Sequence, residues 1–275
     1  MTTTTAPITL PTTATGGRVT LPRVALSEWT KLRSLRSTLY ALLAAGVLTI
    51  GVGLTASAII ASGWRSAGAS EKAIYKPLFT SLLGVDLGVL AIGVLGVLVF
   101  TSEYSTGMAR STFAAVPKRL PVLWAKTGVY FCVALAVSVP AVLVAFFGGQ
   151  ALLSSEHLEI GFGHAGVARA VFGAAFYLTL TGLLGLGFGA ILRNTAAAIV
   201  SLMGLLFVIP PLIGILPSTL SNSITPYLPS NAGEAMMEIG HQAHTLSPWA
   251  GLAVFVGYTV AALGTAAILL VRRDV

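Results

Sequence analysis

The chain has 275 residues, of which 55% are hydrophobic and only 9% charged, and its mean hydropathy is +0.89. Soluble domains carry about 25% charged residues, so a water-soluble globule is excluded and lipid is the expected solvent. A net charge of +7 raises nucleic acid as a partner, but the basic residues are spread over several loops rather than gathered on one face, and membrane topology accounts for them better.

The N-terminal stretch MTTTTAPITLPTTATGG is rich in Thr and Pro and lacks the basic start and apolar core of a secretion signal. Residues 1–22 therefore read as a disordered tail, and residues 23–275 as a single membrane domain. In the segment VALSEWTKLRSLRSTL, Ala25, Trp29, Leu32, Leu35 and Leu39 recur at helical spacing. Lys31, Arg33 and Arg36 fall off that stripe, and Trp29 suits the headgroup layer, so an amphipathic helix lying in the interface is expected. The alternative is that this segment is only the basic end of a long first span.

A hydrocarbon core about 30 Å thick needs about 20 apolar residues in a helix. Six such runs occur, at about 39–62, 79–101, 127–153, 167–192, 196–216 and 249–271, and helices are implied because an open strand would leave backbone groups unpaired in lipid. The expected fold is thus an all-α membrane protein with six transmembrane helices. An even number of spans puts both termini on one side. That side collects 12 of the 16 basic residues, among them Arg119, Lys126, Arg193, Arg272 and Arg273. Positive charge marks the cytoplasmic side, so both termini are expected in the cytoplasm.

In the second span Gly84 and Gly88 form a GxxxG spacing, and in the fourth Gly185 and Gly189 do the same, which favours close helix contact. Asp86 is the acidic residue lying inside a span. It must face protein or water, either lining a cavity or pairing with Arg65, Lys76 or Arg169. Cys132, the one cysteine, reads as a small buried hydrophobe in the third span. Pro210, Pro211 and Pro217 are expected to break the fifth span. The segment after it contains GEAMMEIGHQAH, a candidate outer helix on which Glu234, Glu238, His241 and His244 share one face. Those four are weak candidates for metal ligands; a solvated polar face is the alternative.

Nucleotide and catalytic patterns are missing from the sequence. Lys126 and Thr127 look like the end of a phosphate-binding loop, but Ala125 stands where its glycine belongs. GFGHAG at 161–166 matches GxGxxG without a preceding strand and reads as coincidence. No HExxH or GxSxG occurs.

The loop TSEYSTGMARSTFAAVPKRLPVLWAK after the second span has a turn at Gly107 and a basic corner at Pro117, Lys118 and Arg119. With SEWTKLRSLRST, the LRNTAAAI junction, TPYLPSNAGEAM and the VRRDV end, it resembles the six-span permease subunits of type-2 ATP-binding-cassette exporters, in particular actinobacterial ones. The resemblance covers most of residues 24–275. It implies an interfacial connecting helix at about 27–37 containing Trp29, Lys31, Arg33 and Arg36. It also implies a segment coupled to a separate ATPase, in which Glu103, Gly107, Pro117, Arg119 and Lys126 match the family pattern, while Met108 departs from it. ATP and Mg would be bound by that partner and no cofactor by this chain. A second permease chain, identical or different, and the plasma membrane of a bacterium complete the implied assembly. A secondary transporter, a channel or a membrane anchor remains the alternative.

Overall fold

The computed structural model describes residues 20–34, 36–105, 107–108, 119–240 and 244–273, and the described residues are helices joined by turns. A helix α1 (Leu21–Ser34) precedes α2 (Arg36–Gly63). Short helices α3 (Ala69–Ala73) and α4 (Pro77–Leu82) lead into α5 (Gly84–Ser105), and α6 (Arg119–Leu153) follows. After α7 (Val167–Leu192) come α8 (Thr195–Met203), a π-helical turn (Gly204–Val208) and α9 (Ile209–Gly214). Two more short helices, α10 (Ser218–Ile224) and α11 (Pro229–Ala235), precede α12 (Pro248–Arg272).

Six segments are long and apolar enough to cross a membrane: Arg36–Ser66, Pro77–Tyr104, Arg119–Glu156, Val167–Leu192, Thr195–Gly214 and Pro248–Arg272. This is the architecture of a multi-pass membrane protein. Apolar side chains such as Leu43, Val47, Val200, Val260 and Ile268 are exposed along these helices, as a lipid-facing surface requires.

The fourth span, α7, is the most buried, with α5, α6, α8 and α12 packed around it and α2 against α5 and α6. Small residues let these backbones meet. A Cβ placed on Gly96 would lie 1.9 Å from the Gly182 carbonyl oxygen, and one on Gly185 would lie 2.3 Å from that of Gly93, so α5 and α7 touch main chain to main chain. Buried hydroxyls cost little there, because Thr49, Ser57, Thr101, Thr179, Thr181 and Thr259 each donate to the carbonyl four residues back in their own helix.

Two expectations need correction. The fifth span does not break at Pro210 and Pro211: the π turn takes up an extra residue just ahead of them, so both prolines sit in the first turn of α9, where their missing N–H groups are no loss. The helix ends at Gly214, and Pro217 opens the next one. Cys132 is exposed, because α6 buries Tyr130, Ala134 and Ser138 and a residue two positions from Tyr130 points the other way. In α1 the buried face is Val24, Glu28 and Leu32; of the apolar stripe through Ala25, Trp29, Leu32, Leu35 and Leu39, Leu32 is on that face, and Trp29 is 45% and Leu39 55% exposed.

Candidate functional site

Polar side chains gather at the two ends of α5. Asp86 lies near its start and Glu103 near its end, about 25 Å apart at helical rise, so one rigid helix joins both centres.

The first centre is a buried ion cluster where α1 meets α5 and α6. Lys126 on α6 donates to Glu28 on α1 at 2.5 Å and to Glu103 on α5 at 2.9 Å. Lys31 on α1 donates to the same two carboxylates, at 2.7 Å and 2.9 Å. Two cations and two anions close a neutral square, which is the condition for burying charge without a large uncompensated cost. Burial alone would lower the pKa of the Lys31 ammonium, but the hydrogen bonds and charges of Glu28 and Glu103 outweigh it and hold the pKa above its ordinary value. Val24 packs on Val122 and Ala125 beside the square. Helix α1 is thus fixed to the ends of two spans that flank the connection 105–119.

Of the residues with implied coupling roles, Glu103 and Lys126 sit in this square, where their side chains are 11% and 3% exposed. Gly107 adopts φ +73°, a left-handed turn, and its N–H donates to the Tyr104 carbonyl. Arg119 opens α6 and donates to the carbonyls of Leu270 and Arg273, binding the end of α12 to the same end of the bundle. Pro117 lies outside the described residues. Lys31 points into the square, whereas Trp29, Arg33 and Arg36 are exposed. Glu28 was not singled out from the sequence; its signal was a lone acid at i+4 from Val24 and i−4 from Leu32, on the face that proves to be buried.

The second centre is a cavity of about 1100 Å³ at the opposite end, walled by the end of α2, α3, α4, the start of α5 and residues from the stretches 226–239 and 244–246. Asp86, Glu234, Glu238 and His244 all line it. The alternatives of an ion pair for Asp86 are taken up elsewhere: Arg65 holds Glu156 at 3.0 Å, Lys76 holds Glu238 at 3.6 Å, and Arg169 donates to the carbonyls of Met236 and Glu238. Among the described residues the Asp86 carboxylate has no hydrogen-bond or ion-pair partner, its backbone N–H alone donating, to Leu83. Glu234 faces the cavity close enough to feel Asp86. Burial first, then the charges of Asp86 and Glu238, push its carboxyl up to about 7.

The expected outer helix carrying Glu234, Glu238, His241 and His244 on one face is corrected. Helix α11 ends at Ala235, because the Arg169 guanidinium captures the Met236 and Glu238 carbonyls and Gly240 turns the chain with φ +88°. Glu234 is therefore in the helix and Glu238 beyond it, His241 lies outside the described residues, and no group of three metal-binding side chains occurs among the described residues.

No family model matches the chain, and no curated protein matches it.

Proposed function

We propose that the chain is the membrane-spanning permease subunit of an ATP-driven exporter of the ATP-binding-cassette type, working with separate ATPase subunits and a second permease chain in a bacterial plasma membrane. Both termini, α1 and the 105–119 connection face the cytoplasm, where the basic residues concentrate. Helix α1 lies along the interface with Trp29 at headgroup level, and Arg33, with Arg36 at the start of α2, faces anionic lipid. ATP and Mg belong to the partner.

The observation that carries this reading is the ion square. Force applied by a partner to the 105–119 connection reaches α5, α6 and α1 together, because Lys126 and Glu103 bind the three into one body. Helix α5 then conveys the movement to Asp86 in the cavity. A rigid lever between a docking end and a cavity end is what alternating access requires.

Reconstitution with an ATPase that co-purifies with it tests the proposal. Uptake of cargo into inverted vesicles is expected to need ATP and to survive collapse of the proton gradient. The facing carboxylates Asp86 and Glu234 favour a second reading, a proton-driven secondary transporter, for which the protonophore would abolish uptake and ATP would be dispensable.

A further inference from the structure

The cavity around Asp86 has a composition of its own. Its walls are mainly apolar, from Ile59, Phe79, Leu82 and Ile239 among others, and its volume of about 1100 Å³ is slightly above the range of small-molecule sites, about 300–1,000 Å³. Among the described residues, six charged or titratable groups other than tyrosine line it: Glu71, Lys76, Asp86, Glu234, Glu238 and His244. Glu71 is engaged by the Gly68 N–H at 2.9 Å, and Lys76 and Glu238 pair with each other at 3.6 Å. Arg169, from the neighbouring α7, is directed at the Met236 and Glu238 carbonyls rather than at a carboxylate. Among the described residues the unmatched charge in the cavity is therefore negative: it belongs to Asp86, to Glu71, whose Gly68 N–H partner is neutral, and to Glu234 once its carboxyl ionises at about pH 7.

Aromatic rings add a second, independent feature. Trp64 and Tyr75 both line the cavity with ring centroids 4.9 Å apart, and the Lys72 ammonium already lies 5.5 Å over the Trp64 ring. That ring face is thus placed for a cation, and a guest cation takes it by displacing the Lys72 ammonium. A guest that satisfies apolar walls, aromatic faces and unmatched carboxylates together is an organic cation with a large apolar body. An inorganic cation would leave the apolar walls unused, and an anion would be repelled.

From this geometry we infer that the cavity between α2, α4, α5 and α11 is a binding site for lipophilic organic cations, with Asp86 and Glu234 as the charge-recognising residues and Trp64 and Tyr75 as part of its aromatic wall. The inference concerns binding by this chain alone, and it stands whether ATP or a proton gradient drives any transport.

The test uses a pair of ions nearly equal in shape and opposite in charge. The full chain, in nanodiscs of phosphatidylcholine, is titrated calorimetrically with tetraphenylphosphonium and, separately, with tetraphenylborate; empty nanodiscs supply the background for each. Saturable binding of the phosphonium with one site per chain is expected, at least tenfold tighter than any binding of the borate. Asp86→Asn combined with Glu234→Gln should weaken the phosphonium at least tenfold and narrow the gap between the two ions. Each single variant, should the pair fail to fold, is expected to weaken it several-fold. Equal affinity for both ions, binding no greater than that of empty nanodiscs, or undiminished phosphonium binding by folded variants would overturn the assignment.

Discussion

Lys126 donates to Glu28 at 2.5 Å across 98 positions of sequence, and each side chain is only 3% exposed. This contact, with Glu103 and Lys31 closing the square, fixes α1 to the spans and makes the basic N-terminal helix part of the bundle rather than an appendage.

Replacing one member of a buried pair leaves the other charged and without compensation, at about 3–5 kcal/mol. Lys126→Met is therefore expected to destabilise the protein by that order, read as an earlier thermal transition in detergent. Adding Glu28→Gln to Lys126→Met should recover part of the loss, since one uncompensated anion disappears. Equal melting of wild type and Lys126→Met would show that the square contributes nothing.

The contact of α5 with α7 admits no side chain at Gly96, where a Cβ would meet the Gly182 carbonyl oxygen at 1.9 Å. Gly96→Ala should cost about 1–3 kcal/mol through forced backbone separation. Gly46→Ala makes the control, because a Cβ there meets nothing within 4 Å, and its helical position should gain slightly from the substitution. Comparable melting of the two variants would contradict the packing.

Arg169 holds the chain reversal after α11 through two carbonyls. Arg169→Ala should increase protease cleavage between residues 236 and 246 in intact nanodiscs, with a loss of about 1–3 kcal/mol for the released groups. Arg169→Lys should give an intermediate rate, since a single ammonium lacks the planar fork that spans both carbonyls.

Glu234 has a carboxyl pushed up from an ordinary 4.5 to about 7. The folded state then holds its proton more tightly than the unfolded state, so the contribution to stability is present at low pH and is lost as pH rises from about 4.5 through about 7. The melting temperature of wild type relative to Glu234→Gln should accordingly fall between pH 5 and pH 8. Parallel curves for the two proteins would contradict the raised carboxyl.

Much of the fold is legible in the sequence because lipid imposes a length and a polarity on each span. The span 167–192 coincides with α7, four others differ from the observed segments by a few residues at their ends, and the third, expected from 127, starts at Arg119. What escaped was set by partners distant in the chain. The buried face of α1 turns on Glu28, whose polarity conceals a core position until Lys126 supplies its counter-charge. The end of α11 turns on Arg169, some 65 positions earlier, and helical spacing alone let Glu234 and Glu238 run on as one face. The prolines of α9 misled for a related reason, since a π turn upstream absorbs their effect. Asp86 was visible as a buried acid, but its freedom from Arg65, Lys76 and Arg169 required their other partners to be known.

The central claim is that an ATPase drives this chain from the end of the bundle that holds the ion square. Its most direct measurement is purification of the tagged chain from its native membrane under mild detergent, with identification of what accompanies it. The expected result is a stoichiometric ATPase bearing a Walker motif, cross-linked to the 105–119 connection by a photoreactive residue at position 108. Recovery of the intact chain with no such ATPase, under conditions that preserve other membrane complexes, would contradict it.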